Sequence, residues 1–193
     1  YFFNGAREKP FKNEDRVLIP SPKVGTYDQK PEMNALKVCQ QVLKAQKSGK
    51  YSFVLVNFAN PDMVGHTGNL KATIKAVEAV DQQLGKIVEQ KKKDEVIMVT
   101  ADHGNAVEMI DRTTGKPHTE HTNNPVPFIL IDNQKTELAE KVSIAGIAPS
   151  ILEELNIGLP KEMGKYIIYD RKEKVLTWRK SQLEFQPDIY MSP

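Results

Sequence analysis

An acid and an imidazole four residues apart, Asp62 and His66, stand in the polar stretch Asn57-Phe58-Ala59-Asn60-Pro61-Asp62-Met63-Val64-Gly65-His66-Thr67-Gly68. Gly65 and Gly68 allow a turn that would aim both side chains at one point. A carboxylate beside a neutral imidazole suits zinc or manganese better than calcium, which prefers an all-oxygen shell. The pairing recurs in Thr100-Ala101-Asp102-His103-Gly104-Asn105, again acid, imidazole, glycine. A third segment, Pro117-His118-Thr119-Glu120-His121-Thr122, supplies two more imidazoles, so the three segments hold all four histidines of the chain. Taken singly, each acid–imidazole pair reads as ordinary polar residues making caps and turns. Taken together they read as a metal centre.

The elements around these segments decide whether they can meet. Residues 51–56 form an apolar run expected as a strand delivering the chain into the first segment. A pattern with Leu70, Ile74, Val77, Val80, Leu84, Ile87 and Val88 on one face predicts a helix leaving it from about Asn69. Residues 96–99 read as a buried strand running into Asp102 and His103, and residues 128–131 as a further strand after the third segment, with Pro125 and Pro127 near its entry. Each segment therefore falls at a loop next to a strand, where parallel α/β sheets place ligands and catalysts.

Upstream, residues 1–3 and 16–20 are short strand candidates. A helix is expected from Pro31 through Met33, Leu36, Val38, Val42 and Leu43 to a glycine cap at Gly49. Residues 145–155 make a last helix, with Pro149 tolerable in its first turn. Strand and helix alternating at this spacing imply an α/β fold, a mostly parallel sheet with helices on both faces.

Composition narrows the function classes. The 193 residues suffice for one sizeable domain, and 39% hydrophobic with 27% charged residues is ordinary for a globular protein. A formal charge of +2 gives no electrostatic case for nucleic acid or an anionic membrane. The basic run Lys91-Lys92-Lys93 sits where a helix end favours cations. No apolar run approaches the roughly 20 residues that span a bilayer. The one cysteine, Cys39, excludes an internal disulfide, fits a reducing, cytoplasmic compartment, and lies mid-helix as a packing residue rather than a catalytic thiol. The chain opens on Tyr1-Phe2-Phe3 with neither an initiator Met nor a signal sequence, and reads as the interior of a longer chain, cut or proteolysed.

Three runs carry a resemblance: Val56-Asn57-Phe58-Ala59-Asn60-Pro61-Asp62-Met63-Val64-Gly65-His66, Thr100-Ala101-Asp102-His103-Gly104-Asn105, and His118-Thr119-Glu120-His121-Thr122-Asn123-Asn124-Pro125-Val126-Pro127-Phe128. Together they closely resemble cofactor-independent phosphoglycerate mutase, of the alkaline phosphatase superfamily. Ser21-Pro22-Lys23-Val24-Gly25-Thr26-Tyr27-Asp28 and Ile74-Lys75-Ala76-Val77-Glu78-Ala79-Val80-Asp81 match as well. The resemblance covers about residues 1–169 and only the C-terminal part of the family's chain. It implies an alkaline-phosphatase-like fold in which residues 1–169 are the C-terminal segment of a split phosphatase domain. Residues 170–193, with Leu176, Trp178, Phe185 and Ile189, form an extension that is either packed or partner-binding.

The same resemblance implies two Mn²⁺ ions, one held by Asp62, His66 and His121 and the other by Asp102 and His103. His118 is the weaker claimant, because the family's ligand is the histidine immediately before Thr-x-Asn-Pro. In the family an aspartate and the serine nucleophile, both from the N-terminal part, complete the second ion. Neither has a counterpart here, since Ser21, Ser52 and Ser143 lie outside the three segments, so no catalytic nucleophile is expected within this chain. The implied activity is interconversion of 3-phosphoglycerate and 2-phosphoglycerate through a phosphoserine, by an intact enzyme expected to be a monomer. Its partners would be the phosphoglycerate substrate and the missing N-terminal part of the same chain, without nucleic acid or membrane, and the fragment alone is expected to be inactive.

Two rivals use the same residues differently. A metallo-phosphatase or phosphopentomutase of the same superfamily would act on another substrate, which assays on a full chain would reveal. A non-catalytic metal-binding fragment would bind without turnover, and the mass and N-terminal sequence of the native protein would reveal that.

Overall fold

A computed structural model describes residues 2–134, 136–139, 143–163 and 169–170. The class is α/β. The chain divides into two units, Tyr1–Lys92 with Ile97–Ile129, and Lys93–Val96 with Leu130–Pro193. All three histidine-bearing segments lie in the first.

In that unit α1 spans Ala35–Ser48, α2 Asn60–Gly65 and α3 Leu70–Glu89, and β1, Ile97–Thr100, pairs with β2, Phe128–Ile131, of which Phe128 and Ile129 belong to this unit. Helix α1 begins after Pro31 rather than at it, because residues 31–34 form turns and Met33 takes a positive φ of 43°. It stops at Gly49, whose left-handed φ of 63° no β-carbon opposes. Helix α3 starts where Asn69 Oδ1 accepts the Ala72 N–H at 3.2 Å, a side-chain cap for an otherwise orphan donor.

Two small cores hold these helices. Val64 of α2 is wholly buried against Ala72 and Ala76 of α3 and against Met33. Cys39 and Val42 of α1 pack with Ile87 of α3, with Val56, Phe58 and Ile97 at the edge. The Cys39 thiol points at the Gln83 carbonyl at 3.5 Å, and burial pushes its pKa up. It is a packing residue rather than a nucleophile.

The periodicity of α3 predicts the helix and the burial of Ile87, with Val80, Leu84 and Val88 half-buried, but misplaces the buried face of its first half. The covered residues are Ala72, Thr73, Ala76, Gln83 and Ile87, whereas Leu70, Ile74 and Val77 are 44–49% exposed. Val64 packs on Ala72 and Ala76, where small side chains allow close approach, and Leu70, Ile74 and Val77 beside them are turned outward.

Three expected strands take other forms. Phe2–Asn4 is a turn of 3-10 helix. Residues 16–20 and 51–56 have no ladder, and Leu18, Phe53, Val54 and Leu55 stay exposed. An apolar run becomes a strand only by pairing its backbone, and among the described residues neither run meets a pairing edge. The segment expected as a plain loop at 57–68 contains α2, started by Pro61 in its first turn, where the missing N–H costs nothing.

In the second unit, β3, Glu137–Leu138, pairs antiparallel with β4, Tyr169–Asp170, and α4, Ile147–Glu154, follows the 3-10 turn Ile144–Gly146. Pro149 sits buried in the first turn of α4, as the sequence predicts. Leu176, Trp178, Phe185 and Ile189 lie outside the described residues.

The reassigned face of α3 is testable by urea denaturation. Ile87→Ala is expected to cost roughly 2–4 kcal/mol, in the range for an apolar side chain removed from a core, and Ile74→Ala less than about 1 kcal/mol. Equal losses would show Ile74 to be as buried as Ile87.

Candidate metal centre

Three elements bring the acid and imidazole groups to one place. Helix α2 presents Asp62, and His66, which caps its C-terminus in helical conformation, lies one turn on and hence on the same side. The loop after β1 presents Asp102 and His103. The third segment is folded back by a tight turn, in which the Asp111 carboxylate accepts the backbone N–H groups of Thr113 and Thr114 at 2.7 and 2.9 Å. Those two bonds, Thr114's first, hold the Asp111 carboxyl below its ordinary pKa. The His118 N–H then donates to the Met109 carbonyl at 2.9 Å, and the Thr122 N–H to the Gly104 carbonyl at 2.7 Å, which lays His121 beside His103.

At the centre is Asp62 Oδ1. It lies 3.3 Å from His66 Nε2 and 3.3 Å from His121 Nε2, which are themselves 3.1 Å apart. His103 stacks on His121 at 3.7 Å between ring centroids, with Nδ1 4.0 Å from Asp62 Oδ1 and Nε2 3.7 Å from Asp102 Oδ1. Asp62, His103 and His121 offer ligand atoms within 4.8 Å of one another. The side chain of Asp102 is 74% exposed.

Hydrogen bonding accounts for only part of this cluster, since His66 Nε2 and His121 Nε2 lie within hydrogen-bond distance of each other. Asp62 Oδ1 and His103 Nδ1 are buried and have no hydrogen-bond partner, although polar atoms surround them. Atoms bound to one ion at about 2.1 Å and at 90–109° to each other stand about 3.0–3.4 Å apart. The Asp62, His66 and His121 atoms have that spacing. His66 Nδ1 lies 2.6 Å from the Thr119 carbonyl, which can only accept, so the ring proton belongs on Nδ1 and the Nε2 lone pair faces Asp62. Metal-binding histidines carry this kind of outer partner. The donor set, its spacing and its orphaned buried atoms all fit a divalent cation.

The family resemblance implies a grouping of the five residues as three and two, whereas in the structure His103 faces both sets, one ring nitrogen toward Asp62 and the other toward Asp102. His118 is not in the group of three; its N–H serves the turn. Thr119 escapes the sequence reading, because its role is played by a backbone carbonyl that any residue carries. Gly65 and Gly104 are legible as glycines but not in their function. Gly65 is helical with no positive φ, and a β-carbon there would collide with Asn105 Oδ1. A β-carbon on Gly104 would collide with Thr122 Oγ1. Both are places of close approach, and the turn itself is made at Gly68, with φ of 69°.

Residues 1–159 match the family model described as Metalloenzyme superfamily. The chain is 54% identical over 164 residues to 2,3-bisphosphoglycerate-independent phosphoglycerate mutase of Clostridium botulinum (strain Langeland), covering 84% of this chain and 32% of the relative. It is 53% identical over 170 residues to 2,3-bisphosphoglycerate-independent phosphoglycerate mutase 2 of Methanosarcina barkeri, covering 87% and 32%. The crystal structure of Leishmania mexicana phosphoglycerate mutase at low cobalt concentration superposes with a TM-score of 0.79 at 33% identity, over 89% of this chain and 35% of that one. The chain thus spans about a third of the length of the proteins it matches.

Removing Asp62 takes away the carboxylate at the centre of the cluster. Asp62→Ala or His121→Ala is expected to weaken Mn²⁺ binding, read by calorimetry, by more than the roughly 10–100-fold that losing an outer-shell partner costs. Far-UV circular dichroism should hardly change, since neither side chain belongs to the two apolar cores. Unaltered binding by both variants would place the cation elsewhere.

Proposed function

The chain belongs to the metalloenzyme superfamily, and we propose that it is the C-terminal part of the phosphatase domain of a 2,3-bisphosphoglycerate-independent phosphoglycerate mutase, with residues 170–193 an extension of that part. The observation that carries the proposal is the mutual spacing of Asp62 Oδ1, His66 Nε2 and His121 Nε2, joined to identity above 50% with proteins bearing that name. In this reading Asp62, His66 and His121 hold one Mn²⁺, and Asp102 and His103 contribute to a second. Ions held there supply electrostatic stabilisation to a phosphoryl group in transfer and promote ionisation of an attacking hydroxyl.

The roles of the chain's own residues follow from their surroundings. Asp62 supplies the negative charge that balances a cation beside neutral imidazoles. Thr119 fixes the His66 ring and its tautomer. The face of His103 holds His121 in place through their stack. Asp102, whose side chain is largely in solvent, would share the second ion with groups from outside this chain.

The substrate in this proposal is phosphoglycerate, interconverted between its 3- and 2-phosphate forms, and the acceptor serine comes from the N-terminal part of the intact protein. The intact protein would be a cytoplasmic monomer. No helix of the described residues is long and apolar enough to cross a membrane.

In the intact protein, conversion of 3-phosphoglycerate to 2-phosphoglycerate should disappear on exhaustive chelation and return with Mn²⁺. Full turnover without metal would contradict the reading. The 193-residue chain, purified free of host mutase and supplied with Mn²⁺, should show no conversion, because loss of a nucleophile removes on the order of 10⁶ in rate where a hydrolase has been tested. Turnover near that of an intact mutase would place the nucleophile within residues 1–193.

A further inference from the structure

Helix α2 and the loop after β1 carry their ligand candidates on separate elements, and something must set the gap between them. The contact at that gap is Asn105 against Gly65. Gly65 immediately precedes His66, and Asn105 lies two residues after His103. Gly65 is helical with no positive φ, so its backbone would accept alanine, a better helix former. Space rather than conformation demands glycine. A β-carbon at position 65 would collide with Asn105 Oδ1 and lie 3.0 Å from Asn105 Cγ.

Asn105 is itself unusual. It is 5% exposed, and neither its Oδ1 nor its Nδ2 has a hydrogen-bond partner. Its backbone carbonyl accepts from the Glu108 N–H at 3.0 Å, which pins the residue in its turn. A buried amide left without partners is a poor choice for stability alone, and such groups call for a functional explanation. Metal sites tolerate only about 0.5 Å of misplacement in their ligands, so whatever sets the gap between ligand-bearing elements also sets affinity.

We propose that Asn105 is a positioning residue whose buried carboxamide, seated on the bare backbone of Gly65, fixes the separation between Asp62 and His66, on α2 and at its C-cap, and the Asp102–His103 loop, and so tunes the cation affinity of the site. The proposal rests on the metal-binding reading above. Asn105 does not touch the cation in this account; it acts through Gly65 and through its own chain neighbours.

The test is a double-mutant cycle on the 193-residue chain, with Mn²⁺ affinity read by calorimetry and metal-free stability read by urea denaturation. Asn105→Ala should lower affinity about 10-fold while hardly moving the urea midpoint, and Gly65→Ala should lower it at least about 10-fold. The double variant should bind more tightly than the product of the two losses predicts, because the methyl group introduced by Gly65→Ala occupies space that the amide has left. Should Gly65→Ala fail to fold, Asn105→Ala, which only removes atoms, decides alone. Wild-type affinity in Asn105→Ala, or losses that simply multiply, would overturn the proposal and leave the metal reading intact. No Mn²⁺ binding by the unaltered chain would overturn both.

Discussion

The structure turns on one unbalanced charge. Asp62 Oδ1 is buried among imidazole nitrogens yet makes no hydrogen bond to any of them. The Asp62 side chain is 34% exposed, but a covered carboxylate oxygen without a hydrogen-bond donor is unfavourable, and a cation beside it would offset that cost. Much of the first unit serves to keep that oxygen in place. Pro61 starts α2, Val64 nails α2 to α3, and Asn60 reaches back to the Pro31 carbonyl at 2.9 Å.

Around that charge the ligand-bearing segments are joined pairwise by contacts next to the ligands themselves. The Thr119 carbonyl ties the third segment to His66, the bridge between Gly104 and Thr122 ties it to the loop of His103, and Gly65 against Asn105 closes the remaining side. Two of the three joints depend on a glycine beside a histidine. Neither joint leaves room for a β-carbon, so the glycines following and preceding these histidines are part of the site's geometry rather than of its flexibility.

Much of this was legible in the sequence, for physical reasons. The acid–imidazole pairs, the glycine cap of α1, the strand at Phe128–Ile131 and the helix with Pro149 in its first turn are all written in local chemistry. What was not legible depends on distant partners. The run at 51–56 has strand composition, but a ladder needs a second edge. In the first half of α3 the buried face is the one on which Val64 packs, at Ala72 and Ala76, a contact that periodicity cannot report. Gly65 looked like a turn residue because its neighbour across the gap, Asn105, lies forty residues further along the chain. The two-ion grouping came from family resemblance, and the position of His103 between the two acids could be read only from coordinates.

The central claim is that Asp62, His66 and His121 converge on one divalent cation. Anomalous X-ray diffraction at the manganese edge, on crystals of the chain grown with Mn²⁺, addresses it most directly. The account predicts a manganese peak in direct contact with Asp62 Oδ1, His66 Nε2 and His121 Nε2. A well-ordered site with no peak there, and the metal bound elsewhere or not at all, would contradict it.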